Sequence, residues 1–431
     1  VPPMAPLRNQ ADGPLEPSAT ANAEGRGRRS GKCAIRPALA APEALRKGRS
    51  IGHCARKCPG RLQEGASGTA EARVRVLCAM SGGVDSAVAA ALLVEQGHEV
   101  IGVTFRIGSG AGIEARGCCS AQQASDAVEC AAALGIKHFV HHAEEDFRRH
   151  VVEPFARAYA AGLTPNPCID CNRHVRFPTL LRLADSLGAP LIATGHYARV
   201  ERRSATARYC LARAVDDAKD QSYVLWSLDQ ASLARLRLPV GGLLKSEARE
   251  IARQRGLIVA DKPESQDICF VPHGDYRQML IDTEADVGGP GPIVNTSGAV
   301  LGRHQGTYRY TVGQRRGLGV SAGRPLYVLA VDPKSCTVVV GGIEELLSNQ
   351  VRAEQVVFSG ATPEEFSSPT AVRAQMSAHG HRVEAEAVCR DAGLVVQYGA
   401  PTRTTAPGQS VVCYDGDTGR QVLCGGVVVR R

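Results

Sequence analysis

Apolar residues between positions 74 and 195 occur in short strand-like runs that alternate with helical stretches ending at glycine. The run at 74–80 predicts a buried strand, and Ala87 to Gln96 predicts a helix that Gly97 ends. Further strands are predicted at 99–105, 137–141 and 191–195, and further helices at 121–134 and 179–187. This alternation is typical of an α/β fold with a doubly wound parallel sheet, whose ligands bind beyond the carboxyl ends of the strands.

The pattern changes after about residue 215, so the parallel sheet is predicted to occupy residues 73–215. Residues 216–289 are predicted to form a small helical central domain, with Ser246 to Arg255 as its clearest helix. From 290 to 431, short β-rich runs separated by Gly and Pro predict a C-terminal β-barrel domain. These runs are 326–331, 337–340, 393–397, 410–414 and 421–429.

Residues 1–72 have no hydrophobic periodicity and are rich in Ala, Pro, Gly, Ser and Arg. Such a segment buries too little apolar surface to offset its ordering entropy, so we expect it to be disordered. Its Arg-rich character favours a transit peptide for a chloroplast or mitochondrion over an ordinary flexible extension. Without such a signal the protein is expected in the cytoplasm. We interpret Cys54 and Cys58, in this segment, as incidental.

The formal net charge of +8 comes mostly from that segment, because the rest of the chain is nearly balanced. A nucleic-acid partner must therefore be argued from local patches. The 15 cysteines lack the compact, even spacing of a secreted disulfide framework, which favours a reducing compartment. No apolar run approaches the roughly 20 residues of a membrane-spanning helix, so we expect a soluble protein without a membrane partner.

Residues 81–86, Ser-Gly-Gly-Val-Asp-Ser, lie between the first predicted strand and helix. Backbone N–H groups and the positive end of a helix meet an anion at such a turn, and Gly82 and Gly83 allow a phosphate to approach closely. Asp85 is expected to help hold Mg²⁺. The lysine of Gly-Lys-Ser/Thr loops is missing, which argues against a kinase or GTPase. The string resembles the loop of the ATP pyrophosphatases, which adenylate their substrates.

Two further motifs contain cysteine. In Thr164 to Asn172, two prolines predict a rigid loop that presents Cys168 and Cys171, a spacing typical of thiols with a depressed pKa. Cys269 follows a polar stretch and precedes Phe270, which predicts the start of a strand. By itself, Cys269 is as consistent with a packed core residue as with a reactive one.

Together these motifs resemble the tRNA-specific 2-thiouridylase family over about residues 74–431. The motifs that carry the resemblance are 79–86, 164–167, 171–172, 193–197, 219–223, 265–270, 311–319 and 407–410. The resemblance implies a tRNA-uridine 2-sulfurtransferase that acts as a monomer with ATP and Mg²⁺. Such an enzyme adenylates O2 of the wobble uridine and transfers persulfide sulfur to C2, releasing AMP and pyrophosphate.

The resemblance also implies residue roles. Cys269 would carry a persulfide delivered by a cysteine desulfurase or a sulfur-relay protein, and Cys171 would act as nucleophile, leaving a disulfide to be reduced. ATP would bind Ala79, Met80, Ser81, Gly82, Gly83, Val84, Asp85, Ser86, Phe105 and Gly195. The target base and the rest of the tRNA would contact Asn166, Pro167, Cys168, Lys219, Asp220 and Gln221.

This chain departs from the family pattern at two places. Some relatives have Asp where this chain has Cys168, so an acid/base role for that Asp does not transfer. An Arg-Tyr pair that relatives use on tRNA is not evident in residues 376–382, and no residue is assigned there.

A basic segment favours RNA as a partner. Arg303 to Gly323 contains four arginines and no acidic residue, with Tyr308 and Tyr310 interleaved. Arginine binds phosphate and tyrosine stacks on splayed bases, which favours RNA over a solvated charged face. Three alternatives stay open: an iron–sulfur cluster on Cys168, Cys171 and Cys269, an RNA-binding protein without catalysis, and another adenylating ligase such as an amidotransferase partner.

Overall fold

The computed structural model describes residues 73–107, 121–264, 268–271, 276–282 and 288–430. The predicted disordered extension at 1–72, with Cys54 and Cys58, lies outside these ranges, as do Ser265, Gln266 and Asp267 of the third motif. Within the described ranges, none of the helices has the length and apolar character needed to cross a membrane.

A five-stranded parallel sheet forms the N-terminal part and confirms the predicted α/β fold. Its strands are β1 (Arg75–Ala79), β2 (Glu99–Arg106), β3 (Lys137–His142), β4 (Leu191–Ala193) and β7 (Leu236–Arg237), in the order β3-β2-β1-β4-β7. The chain moves outward from β1 to β3 on one side and continues with β4 on the other side. The carboxyl ends of β1 and β4 therefore flank the switch point, where open parallel sheets bind ligands.

Ten α-helices lie in the described ranges: α1 (Val84–Glu95), α2 (Ala121–Ala133), α3 (Glu144–Phe147), α4 (Glu153–Ala160), α5 (Pro167–Asp170), α6 (Phe177–Ser186), α7 (Ser222–Leu225), α8 (Gln230–Arg235), α9 (Lys245–Gln254) and α10 (Tyr276–Asp282). Gly97 and Gly135 follow α1 and α2 with φ of 85° and 66°, as the predicted glycine stops require. Two π-helical turns, Arg148–Val152 and Cys171–Arg176, extend α3 and α5.

A β-hairpin, β5 (Ala198–Arg202) and β6 (Tyr209–Arg213), follows β4 and was not predicted. Charged residues interrupt β5, and the apolar run of β6 spans only Tyr209 to Ala212, so the sequence carries only a short signal for this hairpin. The hairpin contacts the C-terminal barrel, because Arg213 N donates to Arg420 O at 3.0 Å.

The predicted C-terminal β-barrel is present as six strands that close on themselves. They are β12 (Leu347–Val357), β13 (Thr370–Gln375), β14 (Val383–Arg390), β15 (Gly393–Arg403), β16 (Ser410–Asp415) and β17 (Val422–Val428). A separate four-stranded sheet precedes the barrel, with β8 (Gly291–Val294), β9 (Val300–His304), β10 (Tyr327–Asp332) and β11 (Thr337–Gly341). The β-rich sequence after residue 290 therefore forms two β structures, which periodicity alone did not separate.

Candidate active site

The loop at 81–86 joins the end of β1 to the start of α1, as predicted. Gly82 has φ of 67°, and a Cβ there would overlap the carbonyl oxygen of Gln123 in α2. Gly83 is the N-cap residue of α1 in an extended conformation and has no side chain to cap the helix. The first N–H groups of the helix are thus left to an external acceptor, the arrangement that binds phosphate.

Hydrogen bonds of the two serines stabilise the conformation of the loop. Ser81 N donates to Ser86 Oγ at 3.0 Å, and Ser86 Oγ donates to Gly83 O at 3.1 Å. The two hydroxyl oxygens lie 3.2 Å apart. Ser86 therefore fixes the loop conformation from within.

The Asp85 carboxylate is already engaged. Lys245 Nζ donates to its two oxygens at 2.6 and 2.8 Å, and Tyr197 OH donates to Oδ1 at 3.1 Å. Burial, followed by the charge of Asp85, raises the pKa of Tyr197 and keeps this donor protonated. Asp85 in this arrangement does not fit the open cation ligand expected from the sequence.

Gly195 lies directly against the loop. It follows β4, and a Cβ there would lie 2.5 Å from the backbone nitrogen of Ser86. Phe105, the second residue expected near the nucleotide outside the loop, is buried in β2 with its ring edge-on to His141 at 5.9 Å. The carboxyl ends of β1, β2 and β4 thus bring these residues to one edge of the sheet.

Five residues that sequence reasoning missed lie around the loop. Thr104 Oγ1 donates to Met80 O at 2.7 Å and lies 2.9 Å from Nε2 of His138, whose pKa is lowered by burial. Lys262 Nζ donates to Gly82 O at 2.9 Å and pairs with Asp126. Neither Lys262 nor Lys245 is near the loop in sequence, so no local signal identified them.

The segment with Cys168 and Cys171 is helical, and the prediction of a rigid loop there was wrong. Pro167 occupies the first position of α5, where a proline stabilises a helix start, and Asn166 Oδ1 accepts from Cys168 N at 3.1 Å. Cys168 is exposed, and Cys171, the first residue of the π-helical turn, is buried. The two thiols therefore have different surroundings despite their close spacing.

Cys269 lies in a turn within residues 268–271, so the predicted strand start was also wrong. It is partly buried and packs against the same core that contains Cys171, Leu77 of β1 and Phe105 of β2. Phe270 fixes this turn, with its ring 5.5 Å from Phe147. Both cysteines proposed for catalysis thus pack on one core with residues of β1 and β2.

Asp170, between the two cysteines in sequence, is an unusual carboxyl group. Burial raises its pKa to about 6, an effect that Arg173 partly opposes. Across the described residues, no three His, Cys, Asp or Glu side chains are grouped as metal ligands. Cys168, Cys171 and Cys269 accordingly do not form a cluster-binding set in this arrangement.

The side chains predicted to contact tRNA at 219–221 form ion pairs and hydrogen bonds with other residues of the protein. Lys219 Nζ pairs with Glu264 at 2.7 Å, and Gln221 Oε1 accepts from Tyr197 N at 2.9 Å. The Asp220 side chain is 4% exposed and accepts from Arg213 at 3.1 Å and from Ser222 Oγ at 2.8 Å. The Gln221 contact helps to position Tyr197, which donates to Asp85, and direct contact of residues 219–221 with tRNA stays a prediction.

The prediction that Tyr308 and Tyr310 stack on RNA bases was wrong for this arrangement, because they are only 7% and 9% exposed. Their rings fill two apolar cores. Arg315 and Arg324 are exposed and line a groove of about 470 Å³ with Leu318 and Pro325. Arg315 and Arg316 of this segment are exposed, whereas Arg324 pairs with Glu344 at 3.3 Å.

Three family models match the chain in order. They are described as "tRNA methyl transferase HUP domain" over residues 74–273, "tRNA methyl transferase PRC-barrel domain" over 281–342 and "Aminomethyltransferase beta-barrel domain" over 348–428. A solved 4-thiouridine synthetase–RNA complex with bound ATP covers 49% of this chain and 53% of its own. Its TM-score of 0.31 at 16% identity is too low to carry an argument.

The curated relatives are much more similar. The tRNA-specific 2-thiouridylase MnmA of Roseiflexus sp. (strain RS-1) is 45% identical over 376 residues, which is 83% of this chain and 99% of that protein. The protein of the same name from Carboxydothermus hydrogenoformans is 45% identical over 365 residues, covering 83% and 98%. With this identity over nearly the whole length of its relatives, the chain belongs to the tRNA-specific 2-thiouridylase family.

Proposed function

We propose that this protein catalyses the ATP-dependent 2-thiolation of the wobble uridine of tRNA. The observation that carries the proposal is the placement of Cys171 and Cys269 on one core with the strands that end at the nucleotide-binding loop. An adenylating loop alone would suit many ligases. A buried and a partly buried thiol on the same core as these strands would supply the sulfur chemistry that family membership leads us to expect.

In the first half-reaction, O2 of the uridine attacks the α-phosphate of ATP and pyrophosphate leaves. The N–H groups at the start of α1 and the glycines of the loop would hold the phosphates, and Gly195 would keep the loop in position. The product is a uridine whose O2 carries AMP, which makes C2 open to a sulfur nucleophile.

In the second half-reaction, the terminal sulfur of a persulfide on Cys269 attacks C2, and AMP leaves with O2. The thiolate of Cys171 then attacks the Cys269 sulfur, which breaks the sulfur–sulfur bond to the transferred atom. The thiolated base departs, and a Cys171–Cys269 disulfide remains. A dithiol reductant supplies the two electrons that restore both thiols.

Mg²⁺ would enter as the Mg²⁺ complex of ATP, because Lys245 and Tyr197 occupy the Asp85 carboxylate. An iron–sulfur cluster is the alternative use of the cysteines. The arrangement of the described cysteines does not favour it, and we derive no step through such a cluster. Iron analysis after anaerobic purification separates the two, since an iron-free and fully active protein excludes the cluster.

The remaining partners follow from this chemistry. The persulfide requires a donor, a cysteine desulfurase or a sulfur-relay protein, and we propose that the enzyme works as a monomer. We also propose that residues 1–72 direct it to a chloroplast or mitochondrion, a hypothesis that import of a tagged chain into isolated organelles would test.

The decisive experiment is incubation of the protein with unmodified tRNA, ATP, Mg²⁺ and a persulfide source, followed by mass spectrometry of the tRNA nucleosides. We expect 2-thiouridine to appear only when ATP and tRNA are both present, together with pyrophosphate. Pyrophosphate release without 2-thiouridine would indicate a different adenylating ligase. Binding of tRNA without any turnover would indicate an RNA-binding protein that lacks catalysis.

A further inference from the structure

Two lysines from distant parts of the chain place their ammonium groups against the loop at 81–86. Lys262 Nζ donates to the carbonyl oxygen of Gly82 at 2.9 Å and also pairs with Asp126. Lys245 Nζ lies 2.6 Å from the nearer carboxylate oxygen of Asp85. The loop sequence itself contains no lysine.

Lys262 has an N–H donor left for another partner, and Lys245 makes one of its three contacts, to Glu264 Oε1, at a long 3.5 Å. A lysine has three N–H donors, and Lys262 uses two of them on protein atoms in the part of the chain that the structure describes. The side chains of Lys262 and Lys245 are 26% and 13% exposed, so they border solvent without extending into it. Such groups can turn toward a ligand on the loop with little loss of side-chain entropy.

The carboxylate partners hold these lysines in place. Burial by itself would raise the pKa of Asp126, but hydrogen bonds from Lys262 and Gln122 hold it below its ordinary value. Lys245 lies between Asp85 and Glu264, with Glu264 Oε1 at 3.5 Å. The hydrogen bond from Lys219, opposed by burial and helped by Lys245, lowers the pKa of Glu264. The cations are thus already positioned before a nucleotide arrives.

A triphosphate brings several negative charges to the loop, whereas the helix end supplies only about half a positive charge. Kinases and GTPases meet this demand with a lysine in the loop itself. We propose that Lys245 and Lys262 bind the β- and γ-phosphates of ATP in place of that lysine. The inference rests on the proposed function, because it requires ATP to be the ligand of the loop.

The test compares ATP with AMP, which lacks the phosphates that the lysines are proposed to bind. The Kd of each nucleotide is measured by isothermal titration calorimetry on the full chain and on Lys245→Gln and Lys262→Gln. We expect each variant to weaken ATP binding about 10- to 100-fold, the loss of a charge-assisted hydrogen bond, and AMP binding by less than about threefold. The exposed Lys334→Gln variant is the matched control and should change neither value.

Equal losses for ATP and AMP would overturn the inference, because they would show that the lysines only brace the loop. Where a Gln variant fails to fold, Asp126→Asn provides the second measurement. It removes the anion that competes for Lys262, so ATP affinity should be kept or increased, and a tenfold loss would count against the proposal. Failure of the unchanged protein to bind ATP would instead refute the proposed function.

Discussion

Gly195 and Ser86 are in backbone contact, although they come from different strand ends of the sheet. A Cβ on Gly195 would lie 2.5 Å from the backbone nitrogen of Ser86 and 2.6 Å from the carbonyl carbon of Asp85. The segment after β4 therefore packs directly against the first turn of α1. This contact fixes the position of the nucleotide-binding loop relative to the sheet.

Replacing Gly195 by alanine should push this turn of α1 away from β4. The overlap with backbone atoms has no flexible side chain to relieve it, so we expect a loss of about 1–3 kcal/mol in the free energy of unfolding. Misplacing the loop should also slow pyrophosphate release about 10²-fold. The matched control is Gly242→Ala, where a Cβ meets no atom within 4 Å. Urea denaturation and a pyrophosphate assay check both values. A normal rate of pyrophosphate release by Gly195→Ala would show that this contact does not position the loop.

Substitution of either Cys171 or Cys269 should separate the adenylation step from the sulfur-transfer step. Cys171→Ser and Cys269→Ser remove the nucleophile and the sulfur carrier but leave the loop intact, so we expect thiolation to fall about 10³-fold or more. Pyrophosphate release that depends on tRNA should persist within a few-fold of normal. Cys336→Ser, in the four-stranded sheet region, is the control and should thiolate normally. Mass spectrometry of the nucleosides measures the first rate, and normal thiolation by either site variant would exclude the proposed mechanism.

Local patterns were enough to predict the part of the fold that carries the loop. Val76 and Leu77 are fully buried in β1, as a continuous apolar run in a parallel sheet should be. Gly97 and Gly135 end their helices in the left-handed region that only glycine adopts easily. Each of these signals lies within a few residues of the feature that it predicts.

Other features depend on contacts between distant segments, which a single sequence does not show. The Lys245–Asp85 ion pair joins residues 160 positions apart, so Asp85 resembled a free metal ligand in the sequence. Tyr308 has both a polar and an apolar part, and the core, not the motif, decided its burial. The two prolines before Cys171 predict a rigid loop, whereas Pro167 starts a helix once the segment packs in the fold.

The exposed arginines of the basic segment should contribute to tRNA affinity, whereas its buried tyrosines should not. Arg315→Ala and Arg316→Ala each remove an exposed charge, so each should lower the salt dependence of binding by about one unit of log Kd per log salt. Tyr310→Phe should leave tRNA affinity unchanged, because the ring is buried. Filter binding at several salt concentrations measures the slopes. Unchanged slopes in both arginine variants would place the RNA contact elsewhere.

Asp170 should make stability depend on pH. Burial raises its pKa in the folded protein to about 6 from an ordinary value of 3.8, so folding disfavours the charged form. Its contribution to stability is full below the unfolded pKa and is lost as the pH rises through about 6. Asp170→Asn stays neutral, and we expect it to be more stable than the unchanged protein at pH 8 by about 2 kcal/mol.

The gain from Asp170→Asn should shrink as the pH falls toward 4.5, because the unchanged protein then binds its proton. Urea denaturation at both pH values measures this difference. The exposed Asp417→Asn is the control and should stay within about 0.5 kcal/mol of the unchanged protein. A gain that does not depend on pH would show that packing, not ionisation, is responsible.

Asp220 and Asp217 offer a matched pair of tests, since both bind Arg213. Arg213 Nε donates to Asp220 at 3.1 Å, and Nη1 lies 2.7 Å from Asp217. The Asp220 side chain is 4% exposed and the Asp217 side chain 71% exposed. Asp220→Asn removes the buried one of the two carboxylates that pair with Arg213 and should cost about 3 kcal/mol in the free energy of unfolding.

Asp217→Asn breaks an ion pair on the surface and should cost less than about 1 kcal/mol. Both carboxylates pair with the same arginine. The difference in the free energy of unfolding between the two variants, measured by urea denaturation, therefore reports how burial changes the strength of the ion pair. Binding of tRNA is measured on the folded fraction of each variant. A stable Asp220→Asn protein with weakened tRNA binding would assign Asp220 to the RNA surface. Loss of stability with normal tRNA affinity would show that Asp220 holds Ser222 and Arg213 in place inside the protein.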